Sequence, residues 1–390
     1  MTQPFRLLSR DFVCICLATF LYFGSFYLIL PTLPQYVEQL GGTPGQIGLV
    51  MGLLSVSAVA VRPQFGRLAD RYGRKRLMLV GAGCFSLLFS FYGLLPTVGA
   101  LYVLRLAHGV AHGCSLAASA AYVADLAPPA RRGEVIGVYG TASVIAMALF
   151  PAWGIAVIQH TQSFSLLFAC AVAASAAAFL AVAPVREIAA QDGGNHAVSL
   201  LTIGRRRAVL VPAFALFAAA TSYGAVLAFL PVYAPQRGIA GFGVFFTVYA
   251  AATLASRVFA GRISDRLGRR RVILPFMALL TAAVFALAFL DGLLMLVVIG
   301  FAFGLGFGAF MPILNALVVD KTPSVERGSA LGFFTSFMDV GIATGSVLLG
   351  LIGEWHGFPV MFFAAALIML VGMAVFAAFT EKDSPPGAGR

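Results

Sequence analysis

Between Asp11 and Thr380 the chain is a succession of long apolar runs separated by short polar breaks, and runs of that length leave few folds open. A helix needs roughly 20 apolar residues to cross about 30 Å of hydrocarbon, whereas a β-barrel reads as alternating segments of about 10. Inside lipid every backbone N–H and C=O must find its partner within the protein, which a helix achieves locally. An all-α integral membrane bundle is therefore expected. Composition agrees: 60% hydrophobic, 11% charged and a mean hydropathy of +0.94 are too apolar for a water-soluble domain and too poor in charge for a disordered one. Twelve spans are predicted, near residues 12–35, 46–66, 77–95, 99–124, 134–158, 164–184, 208–232, 243–262, 272–290, 293–319, 329–352 and 358–380.

The formal charge of +11 raises the question of nucleic acid, but the cations sit in short loops between spans, where the positive-inside rule puts them. One alternate set of connections holds Arg67, Arg71, Arg74, Lys75, Arg76, Arg131, Arg132, Arg186 and the run Arg205 to Arg207. In the second half of the chain the same set holds Arg262, Arg266, the run Arg269 to Arg271, Lys321 and Arg327. The opposite set holds only Arg237. This asymmetry predicts a multi-pass protein of a plasma (inner) membrane with both termini and the 185–207 linker in the cytoplasm. Arg6 and Arg10 precede an apolar run that reaches about Pro34, too long for a cleaved signal, so that run is read as the first membrane helix. Cys14, Cys16, Cys84, Cys114 and Cys170 all fall in apolar runs with no paired metal spacing, and are read as packing residues. No Walker-type Gly-Lys-Ser/Thr motif is present, so ATP drive within the chain is not expected, and no cofactor is predicted.

Residues Arg62 to Arg76 read R-P-Q-F-G-R-L-A-D-R-Y-G-R-K-R, and 195 positions on, Arg257 to Arg271 read R-V-F-A-G-R-I-S-D-R-L-G-R-R-R. The same offset relates Gly109 to Gly304, Gly113 to Gly308, Asp125 to Asp320, Pro128 to Pro323, Gly133 to Gly328 and Gly137 to Gly332. The halves are parallel repeats of a six-helix unit, expected as an N-terminal bundle over 1–184, a cytoplasmic linker over 185–207 and a C-terminal bundle over 208–390 with a short tail.

The Gly-x-x-x-Asp-Arg-x-Gly-Arg stretch between spans 2 and 3 resembles the loop motif of the major facilitator superfamily, and the resemblance covers essentially the whole chain. In span 4, L-Y-V-L-R-L-A-H-G-V-A-H-G from Leu101 to Gly113 is similar to a motif of the proton-coupled drug and metabolite exporters of that superfamily, with Arg105 in the arginine position. Of the glycine-proline pattern that branch carries in span 5, Pro151 and Gly154 are present. The resemblance implies two pseudo-symmetric six-helix bundles, transport by alternating access, no enzymatic activity and, from the exporter branch, proton antiport. It also implies a cytoplasmic latch made of Gly66, Asp70, Arg71, Gly73, Arg74 and Asp125 in the first half and Gly261, Asp265, Arg266, Gly268, Arg269 and Asp320 in the second. Within it, Gly66 is expected at a close helix contact and Gly73 at a tight turn, with Asp125 the partner of Arg74 and Asp320 that of Arg269.

The residues themselves point to a second set. Asp339 is the acid expected near mid-depth, where an ionised carboxylate costs about 2.5–3.5 kcal/mol and so marks a proton or cation site. It shares a small, polar helical face with Ser336, Ala343, Ser346 and Gly350. In span 4, Arg105, His108 and His112 lie on one face, and their repeat positions are Gly300, Phe303 and Phe307. Packing alone tolerates symmetric residues, so the asymmetry points to function. Arg105 keeps its proton and can hold an anionic group; the histidines titrate near neutrality and can pass protons. The i, i+4 histidines lack a third ligand, so no metal site is predicted. His112 and Asp339 are expected at similar depth, facing a common cavity that Tyr22, Tyr27, Tyr223, Asn315 and Ser336 are candidates to line. Arg62 and Arg257 are read as symmetric structural anchors. The expected partners are a small organic substrate, protons and the lipid bilayer, with no nucleic acid and a monomer as the working unit. Two rival readings use the same features: a proton-coupled importer of a small metabolite, and a membrane receptor or scaffold that moves nothing.

Overall fold

A computed structural model of the chain describes residues 9–128, 132–187, 200–323 and 326–380. Arg131, linker residues 188–199, the tail 381–390 and the side chains of Arg132 and Arg262 lie outside the described residues. The helices are α1 (Arg10–Ile29), α2 (Leu33–Gln39), α3 (Pro44–Tyr72), α4 (Arg74–Ser90), α5 (Val98–Leu126), α6 (Arg132–Thr161) and α7 (Phe164–Val182). There follow α8 (Leu200–Gly204), α9 (Arg207–Gln236), α10 (Val244–Leu267), α11 (Arg269–Leu287), α12 (Leu293–Asp320), α13 (Arg327–His356) and α14 (Phe358–Phe379).

Each of the twelve predicted spans has its helix, with ends within a few residues except where polar turns extend α3, α10 and α13. Two differences are local. The first span breaks at Thr32 into α1 and α2, because Pro31 and Pro34 supply no N–H to continue the ladder. A short helix, α8, also forms within the predicted linker. Among the described residues ten helices, counting α1 with α2 as one, are long and apolar enough to cross a membrane by length and composition. Of the other two, α4 has 17 residues and α5 carries Arg105, His108 and His112 through its middle.

The polar breaks use identifiable chemistry. Thr97 and Ser163 cap α5 and α7 by accepting from the N–H of Ala100 and Leu166 at 3.2 Å each. Gly73 and Gly268, the residues between α3 and α4 and between α10 and α11, have φ of 99° and 93° and the same ψ of 145°. Only glycine holds that conformation without strain.

The chain divides into two compact units: residues Met1–Leu40 with Leu53–Gly193, and Gly41–Gly52 with Gly194–Arg390. In the first, α1 packs on α6 and α7, and α4 on α5 and α7. In the second, α9 packs on α13 and α14, and α11 on α12 and α14, which is the same arrangement under the repeat. Close backbone approach is set by glycines. A Cβ on Gly109 of α5 would sit 2.2 Å from the Leu54 carbonyl of α3, and one on Gly304 of α12 2.4 Å from the Tyr249 carbonyl of α10. Gly154 meets Leu28 across α6 and α1, and Gly345 meets Thr221 across α13 and α9.

Candidate functional site

In the first unit, the glycine face of α5 lies against α3, and another face of α5 turns toward α1 and α4. Arg105, His108 and His112 stand on that face, 1%, 0% and 7% exposed. His108 Nε2 lies 2.9 Å from the Phe85 carbonyl, which can only accept, so Nε2 carries the hydrogen. Nδ1 is left to accept from the Tyr92 hydroxyl at 2.9 Å. Tyr92 in turn lies within hydrogen-bonding reach of the Arg105 guanidinium. Charge at Arg105 is thus joined to His108 through one phenol, with Phe85 and Phe89 closing on the imidazole at 4.5 Å each.

His112 is held differently. Its Nδ1 is 3.1 Å from the Tyr22 hydroxyl, and the rings of Tyr22 and Phe26 stack on it at 5.7 and 5.4 Å. Tyr22 also reaches Ser115, one turn further along α5. There it borders a cavity of about 20 Å³ edged by Thr19, Ser115, Ser119 and Tyr139. That volume holds about one water among hydroxyls. The arrangement links an imidazole to a file of exchangeable protons running along α1 and α5 toward the basic end of the unit. Tyr27 is half-buried on α1.

The second unit carries no such network at the related place among the described residues. Phe303 and Phe307 of α12 stand 6.1 Å apart, and Tyr223 of α9 stacks on Phe307 at 4.6 Å. Asp339 of α13 is half-buried, as are Ser336 and Asn315, and the Ser336 hydroxyl donates to Phe333 O at 2.6 Å. The face that Asp339 shares divides into two parts. Ala343, Ser346 and Gly350 pack against Gly48 and Gly52 at the start of α3, where a Cβ on Gly48 would fall 2.1 Å from the Ser346 carbonyl. Their smallness therefore serves helix contact, while Ser336 and Asp339 lie below it. Arg62 and Arg257 are half-buried in related places.

At the basic loops the structure brings the motif residues together twice, with different burial. Arg74 Nε donates to Asp125 Oδ2 at 3.0 Å and Arg74 also pairs with Asp70; the side chains are 8%, 13% and 61% exposed in that order. Arg269 donates to Asp320 at 3.2 Å and pairs with Asp265, at 21%, 52% and 61%. Arg71 stacks on Tyr72 at 5.4 Å, and Arg266 is exposed. Among the described residues a Cβ on Gly66 or Gly261 meets nothing within 4 Å, so the close contact expected at Gly66 has no partner there.

Three acids escaped sequence reasoning. Glu187 accepts from Lys75 N–H at 3.1 Å, at the start of α4. Glu326 forms a two-pronged pair with Arg206, one arm at 3.1 Å. Glu354, at the end of α13, accepts from Gly45 N–H at 2.9 Å and Thr43 Oγ1 at 3.1 Å, at the first turn of α3. That turn is a capping box: Thr43 N–H donates to Gln46 Oε1 at 3.0 Å and Gln46 N–H returns to Thr43 Oγ1 at 3.4 Å. The Thr-Pro-Gly-Gln string was a legible signal for the cap. Nothing local pointed to Glu354 as its third member.

The chain matches the Major Facilitator Superfamily over residues 15–244 and 239–390. It is 26% identical over 379 residues to the multidrug resistance protein MdtG of Rahnella sp. (strain Y9602), covering 93% of this chain and 91% of that one. To the staphylopine export protein of Staphylococcus aureus (strain Mu50 / ATCC 700699) it is 24% identical over 390 residues, covering 97% and 98%. Among solved structures, a bacterial homolog of the human lysosomal transporter Spinster superposes with a TM-score of 0.80 at 12% identity over 97% of this chain and 98% of that one. The nucleoside transporter NupG gives 0.74 at 17% over 95% and 99%.

Proposed function

Since the chain belongs to the Major Facilitator Superfamily and is a multi-pass membrane transporter rather than an enzyme, we propose that it exports a small organic molecule in exchange for protons. Two halves, 1–184 and 208–390 joined by the 185–207 linker, alternate access to a site in the plasma membrane, with both termini cytoplasmic and one chain sufficient. The observation that carries this reading is the buried polar chain Arg105–Tyr92–His108, with His112–Tyr22 beside it. Burying these groups costs free energy that aromatic packing, as at Phe303 and Phe307, does not, and the repeat shows that the scaffold packs without them. A histidine joined to hydroxyls is suited to passing a proton, and Arg105 supplies a fixed positive charge. Asp339 is assigned the second proton-carrying role. Export is supported by the names of the multidrug resistance and staphylopine export relatives.

The test is flux in proteoliposomes under an imposed pH gradient of either sign, with a lipophilic fluorescent cation and a carboxylate-rich metal chelator as probes. Antiport requires substrate to accumulate on the more acidic side of the membrane. Accumulation on the opposite side identifies symport and sinks the exporter reading. His112→Gln and Asp339→Asn each abolish the pH dependence of flux if they carry protons; persistence of that dependence in Asp339→Asn excludes its role.

A further inference from the structure

The cavity of about 20 Å³ in the first unit has a polar edge made of hydroxyls: Thr19 and Tyr22 from α1, Ser115 and Ser119 from α5, and Tyr139 from α6. Among the described residues that edge carries no carboxylate, thiolate or imidazole, so its donors suit a neutral guest rather than a metal ion. A single water fits, and the hydroxyls supply the two to four polar partners it needs. They fall into two groups. Tyr22 Oη lies 3.1 Å from His112 Nδ1 and also reaches Ser115. Tyr139 Oη lies within hydrogen-bonding reach of Ser119 and Thr19. Ser115 and Ser119 are one turn of α5 apart and both border the cavity, so a water there bridges the groups. His112, Ser115 and Ser119 descend one face of α5 toward Asp125 in its last turn, about 10 Å of axial rise from first to last. Tyr139 is half-buried and the least enclosed of the five; the other four are buried. The repeat shows that packing does not require these groups. At the offset of 195 residues Ser115 corresponds to Phe310, Ser119 to Leu314 and Tyr139 to Phe334, each 0% exposed. In the last pair the ring is kept and the hydroxyl alone is lost. Burying hydroxyls costs free energy that the second unit does not spend at those places.

We infer that Tyr139, Ser119, one bound water, Ser115 and Tyr22 form the proton path between His112 and the basic end of the first unit, with Tyr139 as its outer member. The path rests on the proton exchange proposed for this chain and gives that exchange its route. In one passage a proton arrives at Tyr139 Oη as the proton already there moves to Ser119. The same replacement follows at Ser119, the water and Ser115, and finally the Tyr22 O–H bond breaks as the His112 Nδ1–H bond forms. Each oxygen gains one hydrogen and loses one, so every hydroxyl ends neutral and one charge has moved. Thr19 steadies the Tyr139 hydroxyl. The charged groups that act on His112 are Arg62 of α3 and Arg105 of α5, with His108 one turn away; the thiols beside the path are Cys114 and Cys16.

The experiment uses the full chain in phosphatidylcholine liposomes with isotope-labelled histidine. Solid-state NMR follows the transfer of magnetisation from water protons to the ring nitrogens of His112, assigned by their loss in His112→Gln, with His108 as the internal standard. In the unaltered chain water reaches His112 faster than His108, whose nitrogens are engaged by Phe85 O and Tyr92. Tyr139→Phe copies Phe334, and Ser119→Leu copies Leu314 and fills the cavity; each slows His112 toward the His108 rate and leaves His108 unchanged. If Ser119→Leu does not fold, Tyr139→Phe alone decides. In flux assays with the lipophilic cation and the chelator as probes, the same variants lower flux driven by a pH gradient about a hundredfold, the low end for a positioned proton-transfer group. Exchange of the probes at equal pH is preserved, which a merely structural defect would not allow. Transfer to His112 no faster than to His108 in the unaltered chain, or unchanged in Tyr139→Phe, overturns the path even where flux is pH-driven. Slowed transfer in the variants, with no pH-driven flux in the unaltered chain, leaves the hydrated path standing and sinks the proton-exchange reading instead.

Discussion

Replacing Asp125 by Asn should destabilise the protein far more than replacing Asp320 by Asn, although the two acids occupy the same place in the repeat. In the first copy Arg74 and Asp125 are 8% and 13% exposed, so removing the acid leaves a guanidinium withdrawn from water with only the exposed Asp70 to offset it. Breaking a buried pair by removing one partner costs about 3–5 kcal/mol. The retained amide oxygen and Asp70 bring the expectation to about 2–3 kcal/mol, within the range for a charge-assisted hydrogen bond. In the second copy Arg269 and Asp320 are 21% and 52% exposed, and Arg269 keeps Ser264 Oγ at 2.7 Å. That is the regime of surface pairs, about 0.2–1 kcal/mol. At roughly 2–4 °C per kcal/mol for a unit of this size, the two variants should differ in unfolding midpoint by about 4–8 °C. The two tryptophans allow each unit to be read alone, because Trp153 lies in α6 and Trp355 in α13, exposed at 66% and 71%. Trp355→Phe leaves a reporter on the first unit and Trp153→Phe one on the second. Midpoints from tryptophan emission at low salt and at 1 M salt complete the test, since screening weakens exposed pairs more than buried ones. An Asp320→Asn effect equal to that of Asp125→Asn, or loss of the Asp125→Asn effect in salt, refutes the argument that burial distinguishes the copies.

Glycine substitutions should separate just as cleanly. Gly109→Ala and Gly304→Ala drive a methyl into facing carbonyls and should cost about 1–3 kcal/mol each for overpacking, more where backbone must move, whereas Gly66→Ala enters open space among the described residues and gains up to about 1 kcal/mol of helix propensity; thermal midpoints decide. Gly73→Ala pairs a φ of 99° with a carboxylate oxygen of Glu187 2.8 Å from the new methyl, so a loss of about 1–2 kcal/mol is expected on the same measurement. Glu354→Gln weakens the acceptor at the start of α3 and should raise amide hydrogen exchange at Gly45, with a stability loss of about 1 kcal/mol; unchanged exchange would show that the capping box suffices. His108→Phe copies the repeat's Phe303, so the packing survives, but Tyr92 Oη loses an acceptor at a cost of about 1–3 kcal/mol. A thermal midpoint equal to that of the unaltered chain would refute it.

The legible part of this protein was periodic or repeated. Span positions followed from the length of apolar runs, because a helix in lipid must satisfy its own backbone. The 195-residue repeat announced paired bundles, and the packing of α1 on α6 and α9 on α13 returned the same arrangement twice. The asymmetric set at Arg105, His108 and His112 was visible as departures from that repeat. What those residues touch was not: Phe85 O, Tyr92 and Tyr22 are reached across 16 to 90 positions of chain. The open space beside Gly66 among the described residues was not legible either, since a motif records which residue stands at a place and not what lies opposite.

Sequence alone thus determined that this chain is an all-helical, multi-pass membrane protein with an internal repeat, because length, hydropathy and repetition act locally along the chain. Only the tertiary structure decided that Arg74 is buried while Arg269 is not, that Ala343, Ser346 and Gly350 serve packing, and that Glu354 caps a helix 309 residues away. Burial and hydrogen-bond partnership depend on which distant groups exclude water from a side chain, and near-identical strings of residues meet different neighbours.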